Sequence, residues 1–184
     1  MLDRPAADPS AVQVVPYVPA HQDQVVALVL HVQNVEYGIG LPLAEQPDLT
    51  AIDAEYAGTG GGFWVAVTPD AHVIGTLGLQ VKTGYDGAPW GVMKKFFVRP
   101  DHRGRAADGG PGVGARLYAE LLAHARSAGL RGVVLDTPAV AERSHAFYRR
   151  AGFRQIARDE LPLAYDYPDR DSRLFRLDLA RPAP

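Results

Sequence analysis

The sequence predicts a mixed α/β domain with a central, mostly antiparallel sheet of six to seven strands flanked by about four helices. First, apolar residues near the start of the chain recur every three or four positions, which predicts a helix there. Second, three strand-like runs follow one another in the middle of the chain, separated only by short turns, which is typical of an antiparallel meander. Third, 184 residues with 47% hydrophobic and 22% charged residues suit a single core.

The first half of the chain begins with a β-branched run at residues 12–18, which predicts a strand that Pro19 ends. Between residues 21 and 37 the apolar residues recur at spacings of three and four, which predicts an amphipathic helix. Residues 48–57 predict a second, short helix. The meander strands are predicted at residues 63–68, 73–81 and 92–98.

The second half of the chain alternates between helices and strands. Residues 115–127 predict a long helix that Gly129 ends, and residues 133–135 predict a buried strand. A further helix is predicted at residues 142–150, and final strands at 153–158 and 172–179. The predicted order is β-α-(α)-β-β-β-α-β-α-β-β. We expect one domain over residues 12–180, after a flexible start at residues 1–11.

Composition limits the classes of partner. A net charge of −2 and a pI near 6.3 supply no strong field for nucleic acid or membrane binding. With no cysteine, disulfides, thiolate zinc sites and cysteine nucleophiles are excluded, and His31, His72, His102 and His124 lack metal-ligand spacing. The N-terminus does not resemble a signal peptide, and the longest aliphatic run, residues 25–30, is far short of the roughly 20 residues that span a bilayer. We therefore expect a cytoplasmic protein without metal.

A glycine-rich turn between the third meander strand and the long helix is the strongest chemical signal. Such a turn suits a diphosphate, because the glycines let the backbone approach the oxygens and the first N–H groups of the helix point at them. A flexible surface loop is the alternative. A P-loop would need Gly-Lys-Ser/Thr, whereas Ala115 and Arg116 follow Gly114. Asp136, 22 residues after Gly114, nearly fits a dinucleotide site, but the turn follows an antiparallel strand.

Two motifs resemble those of the GNAT N-acetyltransferase superfamily. Its motif A matches, in order, Val98-Arg99-Pro100, Arg103-Gly104-Arg105 and Gly112-Val113-Gly114. Its motif B resembles the segment from Ser144 to Phe153, which reads Ser-His-Ala-Phe-Tyr-Arg-Arg-Ala-Gly-Phe. The resemblance covers residues 12–179, nearly the whole chain.

The resemblance implies direct transfer of an acetyl group from acetyl-CoA to a primary amine of a small molecule or peptide, without a covalent enzyme intermediate. It identifies Tyr148 as the group that protonates the departing thiolate, although packing beside Phe147 is the alternative role. A backbone N–H near Phe97 or Val98 would stabilise the oxyanion. The implied acetyl-CoA-binding residues are Phe97, Val98, Arg103, Gly104, Arg105, Gly112, Val113, Gly114, Ala115 and Ser144.

The chain departs from the family pattern in three places. Residues 106–111 are inserted into motif A, and Ala141 stands where an asparagine often contacts the pantetheine arm. Lys94 and Lys95 occupy the strand in which some members carry a catalytic glutamate. The general base therefore has three candidates, Glu36, His145 and Asp136, of which Glu36 is the one we assign.

The acceptor pocket is expected at Glu36, Tyr37 and the loops at residues 42–48 and 165–171, while the acidic cluster at residues 166–171 is also compatible with a solvated hairpin loop. A catalytically silent coenzyme A-binding sensor of the same fold is the alternative function, and a nucleotide-binding domain is a weaker one. The acceptor, the acyl chain length and a homodimer are left open.

Overall fold

A computed structural model describes residues 12–106, 109–165, 167 and 171–179. Within these residues, seven strands form one sheet in the order β1-β2-β3-β4-β5-β7-β6. All neighbouring strands pair antiparallel except β4 and β5, which are parallel. The strands are β1 Gln13–Pro16, β2 Gly62–Val67, β3 Val73–Thr83, β4 Pro89–Val98, β5 Gly132–Pro138, β6 Arg154–Ile156 and β7 Ser172–Asp178. The predicted mixed, mostly antiparallel sheet is confirmed.

The helices cover both faces of the sheet. They are α1 Gln22–Leu30, α2 Pro47–Thr50, α3 Ile52–Glu55, α4 Val113–Ser127 and α5 Glu142–Arg150. The single short helix predicted at residues 48–57 is thus two four-residue helices, separated by Ala51. The tyrosine and aspartate loop predicted at residues 165–171 includes residues 166 and 168–170, which lie outside the described residues.

The apolar faces of the helices explain these two layers. In α4 the buried residues recur at intervals of four, and Gly129 adopts a φ of 66°, the left-handed conformation that closes a helix. The α4 side packs on Trp64, Leu77 and Leu79. On the opposite face, α1, α2 and α3 enclose a second cluster: Val25, Leu28, Val29, Val32, Leu49, Ile52, Tyr56, Phe63, Val65 and Val73.

The predicted first helix changes geometry at its C-terminal end. The α-helix ends at Leu30, and the chain continues through His31–Glu36 as a π-helical turn. Its hydrogen bond from the Tyr37 N–H to the Val32 carbonyl spans five residues. Such turns are frequent at functional sites, and this one carries Gln33 and Tyr37 to the wall of a large cavity.

Candidate active site

A cavity of about 860 Å³ lies between the end of the first helix and the middle of the sheet. Its walls combine the π-helical turn, the segment leading into α2, the floor strands β3 and β4, and the C-terminal end of β5. Charged residues are numerous in its lining. They are Glu45, Asp48, Glu55, Lys82, Lys94, Lys95, Asp136 and Asp171.

The cavity opens where β4 and β5 separate. These strands are paired only through Gly91 with Val133 and Val92 with Val134. Beyond that point β4 continues to Val98 while β5 keeps only β7 as a partner, so the edge of β4 that faces β5 is unpaired. Lys94 and Asp136 follow the last pair by two positions on each strand. Because side chains alternate along a strand, both lie on the same face as Val92 and Val134.

A β-bulge lies in β4 beside this separation. Thr76 pairs with Phe97 and Gly78 with Lys94, so two residues of β4 oppose one residue of β3. Lys95, the first of the two, has a φ of 53°, which is rare for a residue with a side chain. The Thr76 hydroxyl donates a hydrogen bond of 2.7 Å to the Lys95 carbonyl and holds the bulge. Phe97, whose backbone is a predicted oxyanion contact, follows the bulge and lines the cavity.

The Lys95 side chain enters a buried polar network. Its Nζ lies 3.3 Å from Asp48 Oδ1 and donates a hydrogen bond of 2.6 Å to Gln46 Oε1. The Tyr56 hydroxyl donates to Asp48 Oδ2 at 2.7 Å. Burial lowers the pKa of Lys95, against the opposite effect of Asp48, and burial together with Asp48 raises the pKa of Tyr56. The network ties the start of α2 to β4 and fixes one wall of the cavity.

Asp136 is the acid at the other side of the cavity. Burial raises the pKa of its carboxyl group, while Lys94, Lys95 and a hydrogen bond from Ser172 act in the opposite direction. Its half-buried carboxylate lines the cavity at the end of β5.

Gln33 was not anticipated from the sequence. It is only 8% exposed and lines the cavity, and its Oε1 has no hydrogen-bond partner among the described residues. The π-helical turn places it there, and the regular spacing of apolar residues before it gives no signal of this change in geometry.

The glycine-rich turn before α4 forms the predicted strand-to-helix connection. Gly112 precedes the first turn of α4, and a Cβ atom at Gly112 would lie 2.9 Å from the Gly104 carbonyl carbon. The backbone is therefore packed on itself here, and the N–H groups of Val113, Gly114 and Ala115 begin the helix without a side-chain cap. Within the inserted segment, residues 107–108 lie outside the described residues.

The two arginines of this turn already have partners. Arg103 donates to the Val98 carbonyl at 2.7 Å and forms an ion pair with Glu36 Oε2 at 2.8 Å. Arg105 donates to the Gly109 carbonyl at 2.6 Å. The structure therefore brings Glu36 to Arg103, two residues predicted for different roles, and Glu36 is not among the residues that line the cavity.

Tyr148 lies inside an aromatic cluster and is not among the residues that line the cavity. Its ring packs against Phe96, Phe147, Phe153 and Phe175, with ring centroids 5.6–6.4 Å apart. Burial raises the pKa of Tyr148 well above its ordinary value, and Asp136 and Tyr37 raise it further. The phenol is therefore protonated at neutral pH.

The remaining predicted residues of α5 take different positions. Ser144 is half-buried in the first turn of the helix. His145 is buried, its Nε2 lies 3.0 Å from the Pro138 carbonyl oxygen, and burial lowers its pKa. Its ring packs against Phe175 and is not part of the cavity lining.

The described residues contain neither a cluster of metal ligands nor a helix that could cross a membrane. Across residues 12–106, 109–165, 167 and 171–179, no group of three or more histidine or acidic side chains is arranged to hold a metal ion. In the same part of the chain, no helix has the length and apolar character to cross a bilayer.

Comparison with solved structures finds the same fold. An acetyltransferase from Streptococcus agalactiae 2603 is 35% identical, with a TM-score of 0.81 over 92% of this chain and 99% of that one. A GNAT family acetyltransferase from Brucella melitensis, solved in complex with acetyl-CoA, is 21% identical, with a TM-score of 0.60 over 94% of this chain and 91% of that one. The second likeness concerns the fold alone.

Comparison of sequences gives the same family. The model of the acetyltransferase (GNAT) family matches residues 29–153. A mycothiol acetyltransferase from Cellulomonas flavigena is 36% identical over 118 residues, which is 61% of this chain and 32% of that protein. A second curated relative is matched over 58% of its length, so the chain spans less than two thirds of both relatives.

Proposed function

The chain belongs to the acetyltransferase (GNAT) family, and from that premise we propose that it transfers an acetyl group from acetyl-CoA to a primary amine by direct attack. The observation that carries the proposal is the cavity at the separation of β4 and β5, with Asp136 and the unpaired edge of β4 on its walls and Tyr148 nearby. An amine in this cavity can reach an acyl group held along β4.

The acetyl-CoA side of the site is supported by the turn before α4. The N–H groups of Val113, Gly114 and Ala115 form the positive end of the helix dipole, which favours a pyrophosphate. Gly112 approaches the Gly104 carbonyl so closely that a side chain at Gly112 would displace the loop. Arg103 and Arg105 lie in the same turn, and both supply guanidinium groups for anionic oxygens once they leave their present partners.

The bond changes and the proton of the leaving group can be assigned to residues of the site, while the proton that the amine loses passes to the general base. The amine nitrogen bonds to the thioester carbonyl carbon, and a backbone N–H near Phe97 or Val98 stabilises the oxyanion. The carbon–sulfur bond then breaks, and the Tyr148 hydroxyl gives its proton to the sulfur. The raised pKa of Tyr148 means that the phenol is protonated when the thiolate forms, and it also makes the phenol a weaker proton donor than an exposed tyrosine.

The acceptor side of the cavity supports a cationic amine of a small molecule or a peptide. Its acidic side chains include Glu45, Glu55 and Asp136, which attract an ammonium group. A volume of about 860 Å³ lies within the range of pockets for molecules of drug size. The proposed partner is therefore a small-molecule or peptide amine.

Tyr148→Phe tests the proposal, because it removes the hydroxyl and keeps the ring that packs in the cluster. With acetyl-CoA and a panel of primary amines, we expect thiol release to fall at least tenfold while calorimetry finds acetyl-CoA binding unchanged. Tyr118→Phe is the matched control. Tyr118 belongs to the same cluster, touches Phe147 and Phe153, and its buried hydroxyl has no partner in the described part of the chain.

The same experiment separates the enzyme from a coenzyme A-binding sensor. The sensor function is favoured by one observation, since Glu36, a predicted base, is held by Arg103. It predicts acetyl-CoA binding without thiol release in the native protein and in both variants. Turnover in the native protein that Tyr148→Phe leaves intact would instead contradict the role of the hydroxyl.

A further inference from the structure

The acidic side chains that line the cavity differ in the hydrogen bonds and ion pairs that they make within the protein. Asp48 is bound by Lys95 and Tyr56, and Glu55 accepts a hydrogen bond of 3.1 Å from Gln80. Asp136 accepts a hydrogen bond from Ser172 but makes no ion pair with a described residue. Its carboxylate therefore retains capacity to accept a proton from a bound molecule.

The position of Asp136 follows from the strand register. It stands two residues after Val134, the last residue of β5 that pairs with β4, so its side chain lies where the cavity opens between the strands. An acyl group held along the unpaired edge of β4 and an amine in the cavity would meet beside it. The groups that face Asp136 come from four parts of the chain. They are Lys94 and Lys95 of β4, Tyr148 of α5, Tyr165 of the segment before β7, and Ser172 of β7.

We propose that the Asp136 carboxylate accepts the proton of the attacking amine and is the general base of the reaction. The inference rests on the proposed acetyl transfer. The bound ammonium group first loses one proton to water. The neutral amine then loses one further proton to Asp136 as its nitrogen bonds to the carbonyl carbon, and Tyr148 gives one proton to the sulfur as the carbon–sulfur bond breaks. The proton gained by Asp136 and the proton lost by Tyr148 balance, and exchange with water resets both groups.

The two groups are coupled by charge. The ionised Asp136 carboxylate raises the pKa of Tyr148, because a second negative charge nearby is unfavourable. Once Asp136 has taken the proton of the amine, that repulsion disappears and Tyr148 releases its proton more easily. The first proton transfer thus prepares the second. Burial also raises the pKa of Asp136 itself, which makes it a stronger base than an exposed aspartate.

Asp136→Asn is the direct test, since it keeps the shape and the partner of the side chain and removes its basicity. We expect kcat to fall by roughly 10²- to 10⁴-fold, the usual effect of removing a general base, with acetyl-CoA binding unchanged by calorimetry. In the native protein, kcat/KM falls as pH drops through the raised pKa of Asp136, and this acid limb is absent in the variant. Asp86→Asn is the control, because Asp86 lies in an exposed turn outside the cavity.

Lys94→Met provides a second test in which Asp136 stays in place. The Lys94 ammonium stabilises the carboxylate and lowers its pKa. Its removal raises that pKa, so the acid limb of kcat/KM moves to higher pH with the same acceptor amine. If Asp136 only supported the wall of the cavity, the variant would change the rate without moving the limb. This measurement holds even if Asp136→Asn does not fold.

The outcomes separate this inference from the function on which it rests. Failure of the native protein to release thiol with any amine overturns the proposed transfer, and the role of Asp136 with it. Native turnover together with an unchanged rate and an unchanged acid limb in Asp136→Asn overturns the general base alone. An acid limb that does not move in Lys94→Met does the same. A lower kcat and a missing acid limb in Asp136→Asn, together with an acid limb at higher pH in Lys94→Met, support the inference.

Discussion

Gly112 and Gly114 belong to one motif, yet the structure predicts opposite effects of an alanine at each. The Cβ of Gly112→Ala would overlap the Gly104 carbonyl oxygen and lie 2.9 Å from its carbonyl carbon, whereas carbon atoms pack at about 3.5–4.0 Å. The opposing backbone must therefore move by more than about 0.6 Å. Overpacking of this kind destabilises by about 1–3 kcal/mol. At about 2–4 °C per kcal/mol for a chain of this length, we expect Tm to fall by about 2–12 °C.

Gly114→Ala is the matched comparison. Its Cβ would lie 3.4 Å from the Phe96 ring, an ordinary contact, and Gly114 already has a helical backbone in the first turn of α4. Replacing a helical glycine by alanine stabilises by up to about 1 kcal/mol. We therefore expect an unchanged or higher Tm.

Thermal unfolding without acetyl-CoA, followed by circular dichroism, measures both variants. Calorimetry with acetyl-CoA then asks whether the displaced loop of Gly112→Ala also loses affinity. Unfolding of Gly112→Ala at the Tm of the native protein would contradict this prediction, and so would a lower Tm for Gly114→Ala than for Gly112→Ala.

Two further predictions concern ion pairs. Lys95→Met leaves the buried Asp48 carboxylate without its cation. Removal of one partner of a buried ion pair costs about 3–5 kcal/mol, so we expect the free energy of unfolding in urea to fall by about that amount. A urea midpoint equal to that of the native protein would contradict this prediction. Glu36→Gln frees Arg103 from its ion pair, so we expect calorimetry to show acetyl-CoA bound a few-fold more tightly. Arg103→Ala should weaken the binding of acetyl-CoA. Equal affinities in the native protein and both variants would show that Arg103 does not bind a phosphate of acetyl-CoA.

Local signals predicted the fold well. The helix Glu142–Arg150 has the predicted bounds, because its turn-by-turn pattern and the glycine that follows it are contained in a few residues. The start of β4 was predicted three residues late. Pro89 and Gly91 are residue types that are depleted in strands, yet Trp90 is buried and Gly91 pairs with Val133. Tertiary packing, which a local pattern does not contain, extends the strand.

The residues that line the cavity come partly from segments that the sequence indicated and partly from residues that are distant in sequence. The loop at residues 42–48 was expected beside the acceptor and does line the cavity through Glu45, Gln46, Pro47 and Asp48. The network around Lys95 depends on a bulge and on side chains from α2, which are far away in sequence. Adjacent lysines in a strand usually indicate an exposed edge, so nothing local indicated a buried cation. The roles of Glu36 and Tyr148 in catalysis stay predictions.

The π-helical turn at His31–Glu36 makes one wall of the acceptor cavity depend on chain length. A deletion of one residue there would restore α-helical geometry and rotate the preceding side chains by about 100° relative to those that follow. Gln33 and Tyr37 would then no longer both face the cavity. Relatives that differ by one residue in this turn would accordingly present a reshaped acceptor surface while every residue on the floor strands stayed the same. A one-residue deletion in this turn can therefore change which substrate such a chain prefers, without any substitution among the residues that line the site.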